Sequence, residues 1–391
     1  MKEQRSIIKT LAAPDISKAA GAISSIIAIA VGLIFGFFIM LISDPQQAWA
    51  GFKMILTGGL SSGKDFGNVL YYATPIIMTG LSVAFAFKTS LFNIGASGQF
   101  IMGAYGAVLV GVKLSSLGQI QWFVALLAAM VFGAVWAILP GVLKAFFNVN
   151  EVISCIMLNY IGMYTVNMLV KETVFHQYTN RSLPVAETAN IPKMGLDKLF
   201  PESMVGGGII VAIIVAIIMA IILNKTTFGY ELKACGINRS AARYAGINEK
   251  KSIILAMVFS GALAGIGGGL LYLSGTGIYI TVVDTMAPQG FDGISVALLG
   301  MSNPIGALFA GLFIAYITVG GSKMQLVGFV PEIISIITAI IIYCAAFSLM
   351  IRNFFVDRRM RKLNKQDEEE SVKKETLKSP PEGDSKGGGN V

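Results

Sequence analysis

The chain has 391 residues, 54% of them hydrophobic and only 13% charged, against about 25% charged in a soluble domain. With a mean hydropathy of +0.70, water is not its main solvent. The net charge of +8 in so apolar a chain reports topology rather than a nucleic-acid partner.

Cutting the sequence at every Asp, Glu, Lys and Arg leaves nine charge-free runs of 19 or more residues. A bilayer core takes about 20 apolar residues per helix, and such runs are too continuously apolar for barrel strands. The expected fold is therefore all-α, a polytopic transmembrane bundle. Cys155, Cys235 and Cys344 are odd in number and far apart, so neither a disulfide frame nor a metal cluster is expected.

Residues 1–18 hold four basic side chains and form a cytoplasmic N-terminal segment. The run 19–43 is longer than the apolar region of a cleavable signal peptide and is expected to stay as the first span. Gly58, Gly63 and Lys64 then match the opening of a phosphate-binding loop, but Asp65 stands where a Ser or Thr would hold magnesium. A carboxylate there repels phosphate and no buried strand precedes it, so the segment reads as a glycine-rich external turn.

Runs 66–87, 89–112, 114–143 and 152–170 follow. Asn93, Gln99, Asn159 and Asn167 lie inside this apolar sequence, where polar groups either line a path or serve as interhelix glue. Residues 171–202, with His176, Arg181, Pro184, Pro192 and Pro201, read as a polar external loop. His176 is the only histidine and has no second ligand near it, so no metal site and no catalytic group are expected.

After run 203–224, the segment 224–251 is the longest internal connection and is too short for an enzyme domain. Its core, ELKACGINRSAARYAGI over residues 231–247, reads as a short helix, a break at Gly236 and a second helix. Asn238 and Ser240 are candidate N-caps, and Gly246 is the candidate residue that closes the second helix. This basic bump is either topogenic charge or a docking knob for a cytosolic motor.

In run 252–283, Gly261, Gly265 and Gly269 repeat at the spacing of close helix packing. Run 293–322 is broken at Asn303-Pro304, so residues 286–301 and 304–320 are expected to be short arms of a paired hairpin. Asp292 and Glu332 are the acids deepest in apolar sequence. Asp292 reads as a helix cap, a salt-bridge partner or a transport group, whereas Glu332 after Pro331 complements a helix dipole. Residues 19–351 form the membrane domain, and the tail 352–391, with 10 basic and 8 acidic residues, is expected to be a disordered cytoplasmic tail.

One helix per run plus the hairpin gives about ten spans with both termini on one side. Placing both inside puts 22 of the 30 Lys and Arg residues on the cytoplasmic side, as the positive-inside rule requires.

Three blocks carry a resemblance: NIGASGQFIMGAYGA at 93–107, the loop core at 231–247, and GFDGISVALLGMSNPIGALFAG at 290–311. In this order they resemble the permease subunits of bacterial ABC importers of the ribose, branched-chain amino acid and nucleoside class. The likeness runs from about residue 20 to 350 and is greatest to nucleoside-importer permeases that work with a lipoprotein binding protein. It implies a multi-pass subunit of the bacterial cell membrane without catalytic residues or a cofactor of its own. ATP and magnesium would sit on a cytosolic ATP-binding subunit, beside a second permease subunit, identical or distinct, and an external substrate-binding lipoprotein. A nucleoside is the implied substrate, with a ribose-type sugar as the alternative.

By the same resemblance, Glu231, Arg239, Ala242, Tyr244 and Gly246 fall on the ATPase-coupling loop. Asn93, Gly95, Gly98 and Gln99 fall on the block entering the third span, and Gly290, Asp292, Gly293 and Ser295 on the related later block. The path candidates are Asn93, Gln99, Asn159, Asn167, Asp292 and Ser295. Gly95, Gly98, Gly261, Gly265, Gly269, Gly290, Gly293 and Pro304 are the candidates for helix packing or breaks. An ion-coupled transporter is the rival from another class, but no span carries a relay of ionisable groups. A membrane enzyme would need clustered His, Asp, Glu or Cys, which the sequence lacks.

Overall fold

The structure, a computed structural model, describes residues 26–346 apart from residue 28. The expected N-terminal segment 1–18 and tail 352–391 lie outside the described residues. Residues 28–346 form one compact unit. Its helices are α1 (Ile29–Ser43), α2 (Ala48–Thr57), α3 (Gly63–Phe87), α4 (Ala96–Lys113), α5 (Gln121–Phe147), α6 (Glu151–Thr173), α7 (Leu196–Leu199), α8 (Gly208–Lys225), α9 (Thr227–Ile237), α10 (Arg239–Tyr244), α11 (Glu249–Tyr272), α12 (Pro288–Leu299), α13 (Pro304–Lys323) and α14 (Pro331–Ala346). A small hairpin, β1 (Phe175–His176) with β2 (Arg181–Ser182), pairs antiparallel in the loop that follows α6.

Polarity is distributed as lipid demands. Helix α3, which carries Thr74, Thr79 and Ser82, is 89% buried over its span window, whereas the isoleucine-rich α8 is 33% buried. Lipid is as apolar as leucine, so the bundle hides small and weakly polar residues and turns isoleucine outward. Helices α4, α5 and α11 cross where Gly103, Gly133 and Gly265 meet backbone to backbone, leaving no room for a Cβ. Gly261 lies on Gly133 and Ala137, and Gly269 on Ala129 and Leu126.

Six helices among the described residues are long and apolar enough to cross a membrane, with α1 a shorter apolar helix. Of the ten expected spans, those on α1 and α14 run to the limits of the described residues, α12 has only 12 residues, and α4 is not apolar enough to be among the six. Absence of charge does not make a helix: run 252–283 is helical only to Tyr272, and an extended chain with Gly275 and Gly277 at positive φ follows. Helix α4 carries Ser97, Gln99 and four glycines and is not among the six.

The hairpin arms are also unequal. The break at Asn303-Pro304 is present, with Asn303 capping α13 through the Ile305 N–H at 3.0 Å. Helix α12 is 12 residues long, but α13 with its 3-10 extension to Val327 is a span-length rod of 24 residues, so the second arm is not short. Helix α14 opens with Pro331, and Glu332 lies in its first turn, where the dipole favours an acid.

Candidate functional site

The polar residues of the 93–107 block gather into one buried cluster. The Asn93 side-chain amide donates to Gln99 Oε1 at 2.8 Å and to Ser260 Oγ at 2.7 Å, while Gln99 Nε2 donates back to Asn93 Oδ1 at 3.2 Å. Ser260 Oγ donates to the Ser82 carbonyl at 2.7 Å. The Cys155 thiol lies 3.8 Å from Asn93 Oδ1. One helix turn away, Asn159 Oδ1 accepts the Gly98 N–H at 2.8 Å and its amide donates to the Ile94 carbonyl at 3.0 Å. Gly95 sits against Asn93 and Gln99, and Gly98 against Asn159, with no space for larger side chains.

Asn93, Gln99 and Asn159 are therefore buried and bonded to α3, α4, α6 and α11. Of the two readings for them, the structure favours interhelix glue. All three are buried and bonded within the protein, as a polar group that fastens helices must be.

The later block lies on α12, which packs on α3 and α4. Gly290 abuts Ser97 and Gly293 abuts Thr79. Ser97 Oγ donates to the Ala287 carbonyl and Thr79 Oγ1 to the Gln289 carbonyl, both at 2.8 Å. Ser295 is buried. Asp292 lies in the second turn of α12, so it is not the cap, and it is half-buried with no hydrogen bond or ion pair among the described residues. Asn167 is half-exposed on α6 and donates to the Val283 carbonyl at 3.0 Å. Asp292 and Asn167 are thus the path candidates that are not fully buried.

The loop between α8 and α11 is built by three caps. The side chains of Thr226, Asn238 and Asn248 accept the N–H groups of Gly229, Ala241 and Lys251 at 3.0–3.1 Å. Asn238 alone caps α10; Ser240 lies inside that helix, and α9 continues through Gly236 to Ile237. Gly246, at φ +83°, closes α10 in the left-handed region that glycine tolerates. Gly236 rests on the Lys88 carbonyl, and Ser90 Oγ donates to the Gly236 carbonyl at 2.7 Å, so α9 is fixed to the turn between α3 and α4.

On the loop, Tyr244 and Gly246 are exposed and Glu231 and Arg239 half-exposed, but Ala242 is buried and takes no part in the outer face. The outer face instead includes Tyr230, Ile237 and Tyr244, exposed to 69%, 88% and 94%. Sequence reasoning passed over Tyr230 and Ile237; two large apolar residues in a basic segment were the signal. Beneath the loop, burial, with Lys233 beside it, holds the Lys88 ammonium below its ordinary range.

The glycine-rich turn before α3 has a structural occupation. Ser62 caps α3 through the Asp65 N–H, and Asp65 pairs with Lys323 at 2.5 Å, tying the start of α3 to the end of α13. Lys64 points to Glu202 at 3.7 Å. His176 Nδ1 lies 3.0 Å from the Thr179 hydroxyl, and no group of three His, Cys, Asp or Glu able to hold a metal occurs among the described residues.

A family model described as branched-chain amino acid transport system / permease component matches residues 66–346. The guanosine ABC transporter permease protein NupP of Bacillus subtilis is 37% identical over 338 residues, covering 86% of this chain and 96% of the relative. The nucleoside ABC transporter permease protein NupB of Lactococcus lactis is 35% identical, covering 83% and 91%. The glucose ABC transporter permease protein TsgB13 of Haloferax volcanii is 31% identical, covering 81% and 85%. No solved structure matches the chain. The resemblance carried by the three sequence blocks, a bundle with six span-length helices and the match over residues 66–346 agree: the chain belongs to the branched-chain amino acid transport system permease family.

Proposed function

We propose that this chain is the membrane-spanning permease subunit of an ATP-driven importer of nucleosides in the bacterial cell membrane. The observation that carries the motor-coupled reading is the two-helix element α9–α10, seated through Gly236 and Ser90 on the turn that leads into the Asn93 cluster. The relatives named guanosine and nucleoside permeases support the substrate class. ATP and magnesium act on a separate cytosolic subunit, to which the chain offers Tyr230, Ile237, Tyr244, Glu231 and Arg239. A second permease subunit and an external binding lipoprotein complete the assembly.

Both termini are cytoplasmic, with about ten spans, 224–251 as the coupling loop and 171–202 as the external loop, an arrangement supported by 22 of 30 basic residues falling inside. Asn167 and Asp292 face the solute path, where amide and carboxylate groups suit the hydroxyls of a ribose. Alternating access follows as the motor biases two states of the subunit pair.

Uptake of radiolabelled nucleosides and pentoses by cells lacking this subunit is the test. Loss of nucleoside uptake, restored by the chain and blocked by vanadate, is expected. Loss confined to sugars would install the second reading, a sugar permease, which the glucose permease relative supports. Uptake abolished by an ionophore but indifferent to vanadate would overturn both.

A further inference from the structure

The loop end of α5 and the start of α11 enclose a cleft of about 400 Å³ lined by Phe146, Asn248, Lys250, Lys251, Ile254 and Leu255. Its chemistry is divided. Phe146, Ile254 and Leu255 give an apolar wall, and the exposed Lys250 and Lys251 bring two cations to it.

The neighbouring cations are spoken for: Lys144 pairs with Glu151 at 2.8 Å and Arg243 with Glu249 at 4.0 Å. Lys250 and Lys251 have no carboxylate within 4.0 Å among the described residues. The Lys250 ammonium instead lies 4.8 Å from the centroid of the Phe146 ring, a weak cation–π contact that leaves its remaining hydrogens free for an anion.

The apolar wall continues along the bundle. Val131, Val135, Leu139 and Phe146 are each at least half exposed on α5, at spacings that place them on one helical face. From Val131 to Phe146 the helix rises about 22 Å, more than the ~15 Å hydrocarbon depth of a single leaflet. An apolar stripe that covers the depth of a leaflet and ends at two lysines without a carboxylate partner among the described residues suits one phospholipid: acyl chain on the stripe, phosphate at the lysines.

We infer that this cleft binds the headgroup of an anionic phospholipid, with Lys250 and Lys251 on the phosphate and the acyl chain along the exposed face of α5. The inference rests on the orientation proposed above, which puts the cleft at the cytoplasmic leaflet, where anionic lipid attracts basic residues. A soluble protein partner fits less well, because the wall runs on into the lipid-facing side of α5.

The test is the thermal unfolding midpoint of the purified full chain in detergent micelles doped with phosphatidylglycerol, with phosphatidylcholine, or supplied with inorganic phosphate. Phosphatidylglycerol raises the midpoint by about 2–4 °C, phosphatidylcholine and free phosphate do not, and K250Q/K251Q loses the rise. K250R/K251R keeps it, as does K193Q/K198Q, which removes the same charge from the external loop.

Three outcomes overturn the inference. They are an equal rise in K250Q/K251Q, a rise with inorganic phosphate alone, and no rise with phosphatidylglycerol while K250Q/K251Q abolishes binding of the ATPase subunit. No solute uptake enters the readout, so failure here and failure of the importer reading are separate results.

Discussion

The Asn93 cluster offers a decisive perturbation, because a path-lining residue and a helix-fastening residue respond differently to the same substitution. Asn93→Leu keeps approximate size but removes the bonds to Gln99 and Ser260, three contacts between 2.7 and 3.2 Å. Interhelix hydrogen bonds in membrane proteins average about 0.6 kcal/mol each, giving about 2 kcal/mol for the three. The Gln99 amide is then left buried without its partner, which adds about 1 kcal/mol or more. A loss of about 3 kcal/mol follows, to be read by denaturant unfolding in detergent micelles. The double variant N93L/Q99L removes the orphaned partner and should recover part of that loss, since deleting both members of a buried polar pair is milder than deleting one. Stability unchanged in Asn93→Leu, together with altered substrate preference, would refute the fastening role and return Asn93 to the path.

Three further outcomes are expected. Gly236→Leu cannot seat against the Lys88 carbonyl, so uptake falls while membrane insertion, followed by fractionation, is retained. Ile237→Glu with Tyr244→Ala strips the exposed apolar face and should weaken co-purification of the ATPase subunit by about tenfold or more; undiminished recovery would remove that face from the interface. Lys88 has its ammonium held below the ordinary 10.5 by burial and by Lys233, so the unfolded chain binds the proton more tightly. Stability therefore rises with pH through the window from the lowered folded value up to 10.5. Lys88→Met should flatten that rise in unfolding curves compared with wild type and raise stability at neutral pH.

Features set by neighbouring residues were legible in the sequence. Asn238 and Gly246 bound α10 because capping and left-handed closure are decided within a few positions. The break before Pro304 was legible for the same reason. What depended on distant chain was not. Whether Asn93 faces a solute or a helix is decided by Ser260, 167 residues away. Ala242 turns inward because the Ile247 N–H closes on its carbonyl at 3.0 Å, leaving Ile237 and Tyr244 to form the surface. Nor does a charge-free run show where helix stops, since beyond Tyr272 the chain exchanges hydrogen bonds with residues 180–191 of the loop that follows α6.

That exchange has a mechanical consequence. Ser182 N–H donates to the Ile280 carbonyl, Val282 N–H to the Asn180 carbonyl, Asn180 Nδ2 to the Val282 carbonyl and Asn167 Nδ2 to the Val283 carbonyl, all within 3.0 Å. These bonds stitch the chain entering α12 to the end of α6 and its hairpin. Parting them costs about 1 kcal/mol per bond, so α12 travels with α6 at its N-terminal end. The opposite end of α12 is also held, in a tight turn over residues 300–303 where Met301 and Ser302 have positive φ and Gly300 lies against Gly306 and Ala307. Asp292 lies between the stitched end and the turn, so its carboxylate shifts only if one of these two anchors gives way.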